Sequence, residues 1–234
     1  MEREAIRAST SGELTYLFQA ATLGLAEDIA MVELRQANIV IIAKAHNPSI
    51  VSPDWIRKML GIAEKPLNFL NTPAFSSFES DSFSLIVDQE RWQLGLKKLT
   101  EGHIVECGKA ASTYVRTLQH IPYTSLGMNY VWRYSPSVSE KGLPEIDVRI
   151  GELDPRTVFK EQQVLYGATI VVSFKTHMLR INMAHEDNRA IILSHNFHYD
   201  IKNQDPSETS KTIDSFLALS AKSEELTKRL MGEG

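Results

Sequence analysis

The strongest constraint on the fold is a run of alternating polar and apolar residues at positions 82–98. Large apolar side chains occupy every second position over residues 83–87 and again over residues 92–96, on either side of a polar turn at residues 88–90. Because successive side chains of a β-strand point to opposite faces of a sheet, this spacing predicts a hairpin with one core face and one face in water. The fold must therefore include an antiparallel pair of strands whose two faces differ.

Other segments show strand patterns of the same kind. The β-branched run at residues 38–43 predicts a buried strand. Residues 128–134 alternate, with Tyr130 and Trp132 on one side and Val131 and Arg133 on the other. Residues 169–175, 178–184 and 189–201 predict an antiparallel meander with a hairpin turn at residues 185–188.

Three segments have helical signals. Over residues 104–118 the apolar side chains fall along one stripe, and a second stripe predicts a terminal helix over residues 207–231. Ser52, followed by Pro53 and Asp54, predicts the start of a short helix that Gly61 ends. Strands and helices together predict an α+β fold with mainly antiparallel strands and two long amphipathic helices.

Residues 135–145 are the best candidate for a linker, because Pro136, Gly142 and Pro144 lie there among serines. We therefore expect an N-terminal α+β half at residues 1–136 and a C-terminal α+β half at residues 137–234. The halves share a crude order of strands followed by a helix. This order fits either two similar β-β-α units that arose by duplication or a chance similarity, and the halves could form one compact unit with a continuous sheet.

Composition excludes several classes of protein. The 234 residues are 43% hydrophobic, which is typical of a globular core and not of a disordered chain. Lys and Arg number 25 against 29 Asp and Glu, and no basic block stands out, so duplex nucleic acid has no electrostatic footprint to bind. The single cysteine, Cys107, and the lack of an apolar run long enough for a signal peptide or a membrane span predict a cytoplasmic protein without a membrane partner.

Histidines are the candidates for catalysis. His46 follows the strand at residues 38–43, in a loop where a base could act, although a turn that stops the strand explains this loop equally well. His198 shares a strand face with Asp200, whose carboxylate could orient the imidazole, although a solvated strand surface is the alternative. His195 should face the other side of the same strand, so the two histidines should not chelate a metal. Signature motifs of nucleotide-binding proteins, hydrolases and metal sites are absent, and we expect no cofactor and no metal.

The polar faces of the predicted strands carry a set of charged and amide side chains. These are Arg91, Gln93, Lys97, Arg133, Lys175, Arg180, Asn182 and His198. If the helices pack on one side of a shared sheet, this set lines the opposite, open side. Such a face is either a solvated surface or a binding face for a partner protein or a second subunit.

Three functions follow from these patterns. The first is a non-catalytic interaction protein that binds itself or another protein through a sheet face or an exposed strand edge. The alternative is an enzyme or small-ligand binder with a pocket between the halves, using His46, His198 and Asp200. A second alternative is binding of single-stranded nucleic acid on Tyr130, Trp132 and Arg133. It requires exposed aromatics, whereas their regular spacing indicates burial.

Short motifs also carry a family resemblance. They lie at residues 47–50 together with 53–55, at residues 83–92 with their Val87-Asp88 turn, at residues 121–130 and, more weakly, at residues 197–201. In these stretches the chain resembles a sporadically distributed family of uncharacterised bacterial proteins of similar length. The resemblance implies a bacterial, cytoplasmic α+β protein, and it carries over no activity and no catalytic or binding residue.

Overall fold

Nine strands form one antiparallel sheet in the computed structural model, which describes residues 30–137, 167–187 and 190–233. The strands are β1 (Met31–Ala43), β2 (Asn68–Asn71), β3 (Phe75–Glu79), β4 (Phe83–Asp88), β5 (Arg91–Leu96), β6 (Tyr123–Ser135), β7 (Gly167–Ser173), β8 (Met178–Asp187) and β9 (Ala190–Asp200). Their order across the sheet is β2-β3-β4-β5-β1-β6-β9-β8-β7. The protein is therefore of mixed α+β class, as predicted.

Four helices accompany the sheet in the described residues. Helix α1 begins as an α-helical turn, Pro53–Trp55, and continues as a π-helical turn, Ile56–Leu60; α2 is Glu101–Thr117, α3 is Pro206–Ile213 and α4 is Phe216–Leu230. The Ser52 side chain caps α1 by accepting from the Trp55 N–H at 3.1 Å. Gly61 ends this helix with φ of 76°, a left-handed conformation that favours glycine.

The elements with the clearest periodicity lie where the sequence predicts them. The predicted hairpin at residues 82–98 is confirmed as β4 and β5, which pair in antiparallel register with Val87 opposite Trp92. Phe83, Leu85, Leu94 and Trp92 are buried on one face, as expected. The helix predicted at residues 104–118 is confirmed as α2, and the strand predicted at residues 128–134 lies within β6.

The prediction of one continuous terminal helix over residues 207–231 is wrong. Asp214 and Ser215 form a turn between α3 and α4. The Ser112 hydroxyl of α2 donates to Asp214 Oδ1 at 2.8 Å, and the Ser215 hydroxyl donates to the Thr212 carbonyl at 2.7 Å. The turn thus fixes α3 against α2 and lets Phe216, the first residue of α4, enter the core.

The predicted turn at residues 185–188 begins too early. His185 still belongs to β8 and pairs with Ile191 of β9, and β8 continues to Asp187. Residues 188 and 189 lie outside the described residues. The strand pair is therefore longer than predicted, and its register shifts between His185 and Asp187.

Strand pairing continues across the two predicted halves. β1 pairs with β6 along its whole length, and β6, in the first half, pairs with β9, in the second. Of the linker residues, 138–145 lie outside the described ranges. One hydrophobic core includes residues of both halves, among them Trp92 and Phe216. The division at residues 136 and 137 stays a prediction.

Membrane crossing by a helix finds no support in the described ranges, since none of their helices is both long enough and apolar enough to cross a bilayer.

Candidate functional site

The two faces of the sheet have different coverings. Trp92 of β5 stacks on Tyr114 of α2 with ring centroids 4.8 Å apart, and Tyr130 of β6 stacks on Phe216 of α4 at 5.0 Å. Helices α1 and α3 pack in turn against α2. The described helices therefore cover one face, and we call the opposite side of the sheet the open face.

Three asparagines form a continuous line across the centre of the open face. Asn38 of β1 lies directly opposite Asn129 of β6, and Asn129 lies opposite Asn196 of β9. Asn196 Nδ2 donates to Asn129 Oδ1 at 2.5 Å, and Asn129 Nδ2 donates to Asn38 Oδ1 at 2.8 Å. We call these three residues the amide ladder.

Gly127 allows β6 and β9 to hold the amide ladder closely. It precedes Asn129 by two residues on the same face of β6. A Cβ at Gly127 would lie 3.3 Å from Asn196 Nδ2. Glycine inside a strand often marks a place where another group approaches the backbone closely, and here that group is the Asn196 amide.

The amide ladder lies in the floor of a groove of about 380 Å³ on the open face. Around the ladder the groove is lined by Gln36, Arg91, Gln93, Asn182 and Ser194, among others. Most pockets for small ligands are largely apolar with a few polar groups. This groove instead offers many neutral hydrogen-bonding groups, together with the positive charge of Arg91.

The ladder leaves hydrogen-bonding capacity unused at both ends. Among the described residues, Asn38 Nδ2 and Asn196 Oδ1 have no hydrogen-bond partner. Since a primary amide carries two donor hydrogens and an acceptor oxygen, the ladder can give hydrogen bonds at one end and accept them at the other. A backbone peptide group has the matching donor and acceptor.

The structure places the residues of the predicted binding face as follows. Arg91, Gln93 and Asn182 line the groove. Arg180 of β8 lies opposite Asn196 and is exposed. Arg133 lies on β6, where its Nε donates to Glu186 Oε2 at 2.6 Å. Lys97 lies just past the end of β5 and is exposed.

His46 lies in the core on the helix-covered side. Its Nε2 is 3.2 Å from the Ile41 carbonyl oxygen, and its Nδ1 is 2.8 Å from the Tyr114 hydroxyl. Burial lowers the pKa of His46, which favours the neutral ring. The carbonyl can only accept, so Nε2–H donates to it and Nδ1 accepts from Tyr114. Both ring nitrogens are therefore used in joining β1 to α2.

The remaining catalytic candidates lie away from His46. His198 and Asp200 lie on β9, on the same side as the amide ladder residue Asn196, so the sheet separates them from His46. No hydrogen bond joins His198 to Asp200 in the described part of the chain, and Asp200 Oδ1 accepts from the Lys202 N–H at 3.0 Å. The three candidates therefore do not meet in one site.

His195 lies on the opposite face of β9 from His198, as predicted. It is buried, and its Nε2 lies 2.9 Å from the Thr227 hydroxyl of α4. Burial lowers the pKa of His195 to about 4. In the described ranges, no group of three or more His, Cys, Asp or Glu side chains could hold a metal ion.

The aromatic residues of β6 do not form a stacking surface on the open face. Tyr130 and Trp132 are buried, as their spacing predicts. The Tyr130 hydroxyl donates to the Phe216 carbonyl, and Trp132 Nε1 donates to the Ser223 hydroxyl at 2.7 Å. These rings instead attach α4 to the sheet.

Sequence reasoning missed the amide ladder. One signal was available, since asparagine is depleted in strands and all three asparagines lie within strands. The alignment of the three residues depends on strand register, which a single sequence does not reveal.

The Asn129→Leu variant tests the ladder directly. It removes both ladder hydrogen bonds and leaves Asn38 Oδ1, on a residue only 6% exposed, without a partner. We expect the free energy of unfolding to fall by about 1–3 kcal/mol, measured by urea denaturation. Asn182→Ala, at an exposed position of the same face, is the control and should change it by less than about 0.5 kcal/mol. Equal effects of the two variants would contradict the ladder.

Comparison with known proteins assigns no family, since no protein-family model matches the chain and no curated protein matches it in sequence.

Proposed function

We propose that the protein is a non-catalytic interaction module that docks a protein partner through the open face of its sheet. The amide ladder is the observation that carries this proposal. It provides a row of aligned, partly unused hydrogen-bonding groups at the centre of a face that the described helices leave uncovered.

The chemistry of the groove favours a polypeptide over a small organic ligand. Neutral amides can satisfy the donors and acceptors of a peptide backbone without the cost of burying an unpaired charge. Arg91 on the groove rim and Arg180 beside Asn196 are both exposed, so carboxylates of a partner can reach them. Exposed arginines are typical of protein interfaces.

The catalytic alternative has less support from the same geometry. His46 uses both ring nitrogens in the core, and the sheet separates it from His198 and Asp200. We further propose a cytoplasmic location and membership of the sporadically distributed bacterial family that the motifs resemble.

Photo-crosslinking in cells tests the docking face. A photoreactive phenylalanine analogue replaces Gln93, which lines the groove, and in a control chain it replaces Lys109, which is exposed on α2. We expect an adduct of defined mass from position 93 and none from position 109. The additional change Arg91→Glu, at an exposed site, should reduce the adduct, because charge reversal at an interface rim slows association.

Three outcomes decide between the functions. Adducts of equal yield from positions 93 and 109 would contradict a specific docking face. No adduct from position 93 would contradict a protein partner on this face. A small molecule retained in the native mass spectrum of the purified protein, and lost in the Asn129→Leu variant, would show that the groove binds a ligand instead.

A further inference from the structure

The edge strand β7 is a second surface, separate from the groove. β7 ends the sheet and pairs only with β8 among the described strands. Its seven residues, Gly167–Ser173, include no charged residue and no proline. Natural edge strands are commonly protected from further pairing by charge, proline, a bulge or short length. β7 carries no charge and no proline and is seven residues long, so three of these four protections are missing from it.

The turn that follows β7 shows which of its backbone groups point away from β8. The Phe174 N–H donates to the His177 carbonyl at 2.8 Å, which closes the turn between β7 and β8. Because hydrogen bonding alternates residue by residue in an antiparallel pair, Val172 and Ile170 bond towards β8. Thr169, Val171 and Ser173 therefore direct their N–H and C=O groups away from β8, towards the edge that no described strand covers.

Apolar side chains at this end of the sheet are exposed on both of its faces. Val171 is 51% exposed, Val172 is 38% exposed and Phe174, just past the strand, is 51% exposed. The opposite edge strand, β2, also has exposed apolar residues, but it is only four residues long and begins two residues after Pro66. β7 is thus the edge better suited to pairing.

We infer that a second copy of this chain pairs with β7 in antiparallel orientation, about a two-fold axis at Val171. In this register Val171 lies opposite its equivalent, and Thr169 lies opposite Ser173 of the second copy. These opposed pairs form about six backbone hydrogen bonds, two at each pair, and satisfy the outward groups of the strand.

The side chains of β7 fit the same register. On the helix-covered face Ile170 comes opposite Val172 of the second copy, and Phe174 comes opposite Ala168. Since β7 carries no charged residue, the two-fold axis brings no like charges together within the strand pair. Pairing of β7 with β2 would instead be heterologous and would grow as an open fibre, whereas pairing of β7 with β7 closes after two copies.

The dimer extends the docking face. A two-fold axis at a shared sheet edge runs perpendicular to the sheet, so the open faces of both copies lie on the same side. The two grooves then belong to one continuous surface. This inference goes beyond the docking proposal and rests on different residues.

Sedimentation velocity of the full chain tests the dimer. We expect a species of twice the 26.3 kDa chain mass. Val171→Lys places two ammonium groups side by side at the axis and should convert the protein to monomers. Leu70→Lys, at a position that is 52% exposed on the opposite edge, is the matched control and should leave the dimer intact. Circular dichroism confirms that both variants fold.

Crosslinking tests the register. A Val171→Cys variant treated with a short bismaleimide should give a covalent dimer, since opposed Cα atoms in such a pair are about 5.5 Å apart. The native Cys107 is buried and should not react, and a Leu70→Cys variant should stay monomeric on the gel. A monomeric wild-type protein at ~100 µM, a dimeric Val171→Lys variant, or no crosslink at position 171 would each overturn the inference.

The two proposals can fail separately. In the Val171→Lys background, the adduct from position 93 should persist, because the groove lies on the central strands. If the dimer is lost while that adduct is retained, the result concerns the pairing of β7 alone and leaves the docking proposal unaffected.

Discussion

Replacing Trp92 with alanine is expected to lower the free energy of unfolding by about 3–5 kcal/mol. Trp92 is fully buried, and its ring stacks on Tyr114 with the planes 22° apart. Tyr114 also contacts Trp55 of α1 edge to face and bonds to His46. Truncation at Trp92 would leave a cavity where β5, α1 and α2 meet, and urea denaturation at pH 7 measures the loss.

The control for this prediction is Trp92→Phe. Trp92 Nε1 has no hydrogen-bond partner in the described part of the chain, so phenylalanine removes no hydrogen bond and keeps an aromatic ring against Tyr114. We expect it to lose less than half as much stability as Trp92→Ala. A loss below about 1 kcal/mol for the alanine variant would contradict the packing described for this cluster.

Acidification from pH 7 to pH 5 is expected to remove about 2 kcal/mol of stability through His195 alone. Burial lowers the pKa of this histidine from 6.5 to about 4 in the folded protein. Between these two values the unfolded chain binds more protons than the folded one, so stability falls as pH falls. His195 contributes this stability in full above pH 6.5, which is its pKa in the unfolded chain. The contribution is lost as the pH falls towards 4, at about 1.4 kcal/mol for each pH unit.

His195→Gln isolates this effect. Glutamine can still hydrogen-bond the Thr227 hydroxyl, but it does not titrate. Burial also lowers the pKa of His46, and the contribution of His46 to the pH dependence of stability has the same sign in the wild type and in the variant. The stability difference between pH 7 and pH 5 should therefore be about 2 kcal/mol smaller in the variant than in the wild type. Identical pH dependence of the two proteins would show that His195 is not buried in its neutral form.

Local periodicity was sufficient to predict part of this fold. The β4–β5 hairpin and helix α2 follow from side-chain spacing within a single segment, and each buries the stripe that the spacing indicates. The opposite facing of His195 and His198 follows from the same rule. Such predictions succeed because they depend only on neighbours in the sequence.

Features that depend on distant contacts were not predictable in this way. The turn at Asp214 contains no glycine or proline, and its Asp214 side chain accepts a hydrogen bond from Ser112, which lies on another helix. The amide ladder joins strands β1, β6 and β9, whose register is set by the whole sheet. Alternation along the strands assigns Arg91, Gln93 and Asn182 to one polar face. Only the structure shows that they lie around the amide ladder.

Arginine labelling in intact cells tests the docking face most directly, since it uses the unaltered chain. Phenylglyoxal modification is compared between cells and the purified protein at Arg91 and Arg180 near the groove, and at Arg57 and Arg229, which are exposed on α1 and α4. Docking on the open face predicts that Arg91 and Arg180 react more slowly in cells, relative to Arg57 and Arg229. Equal relative rates in cells and in the purified protein would contradict it.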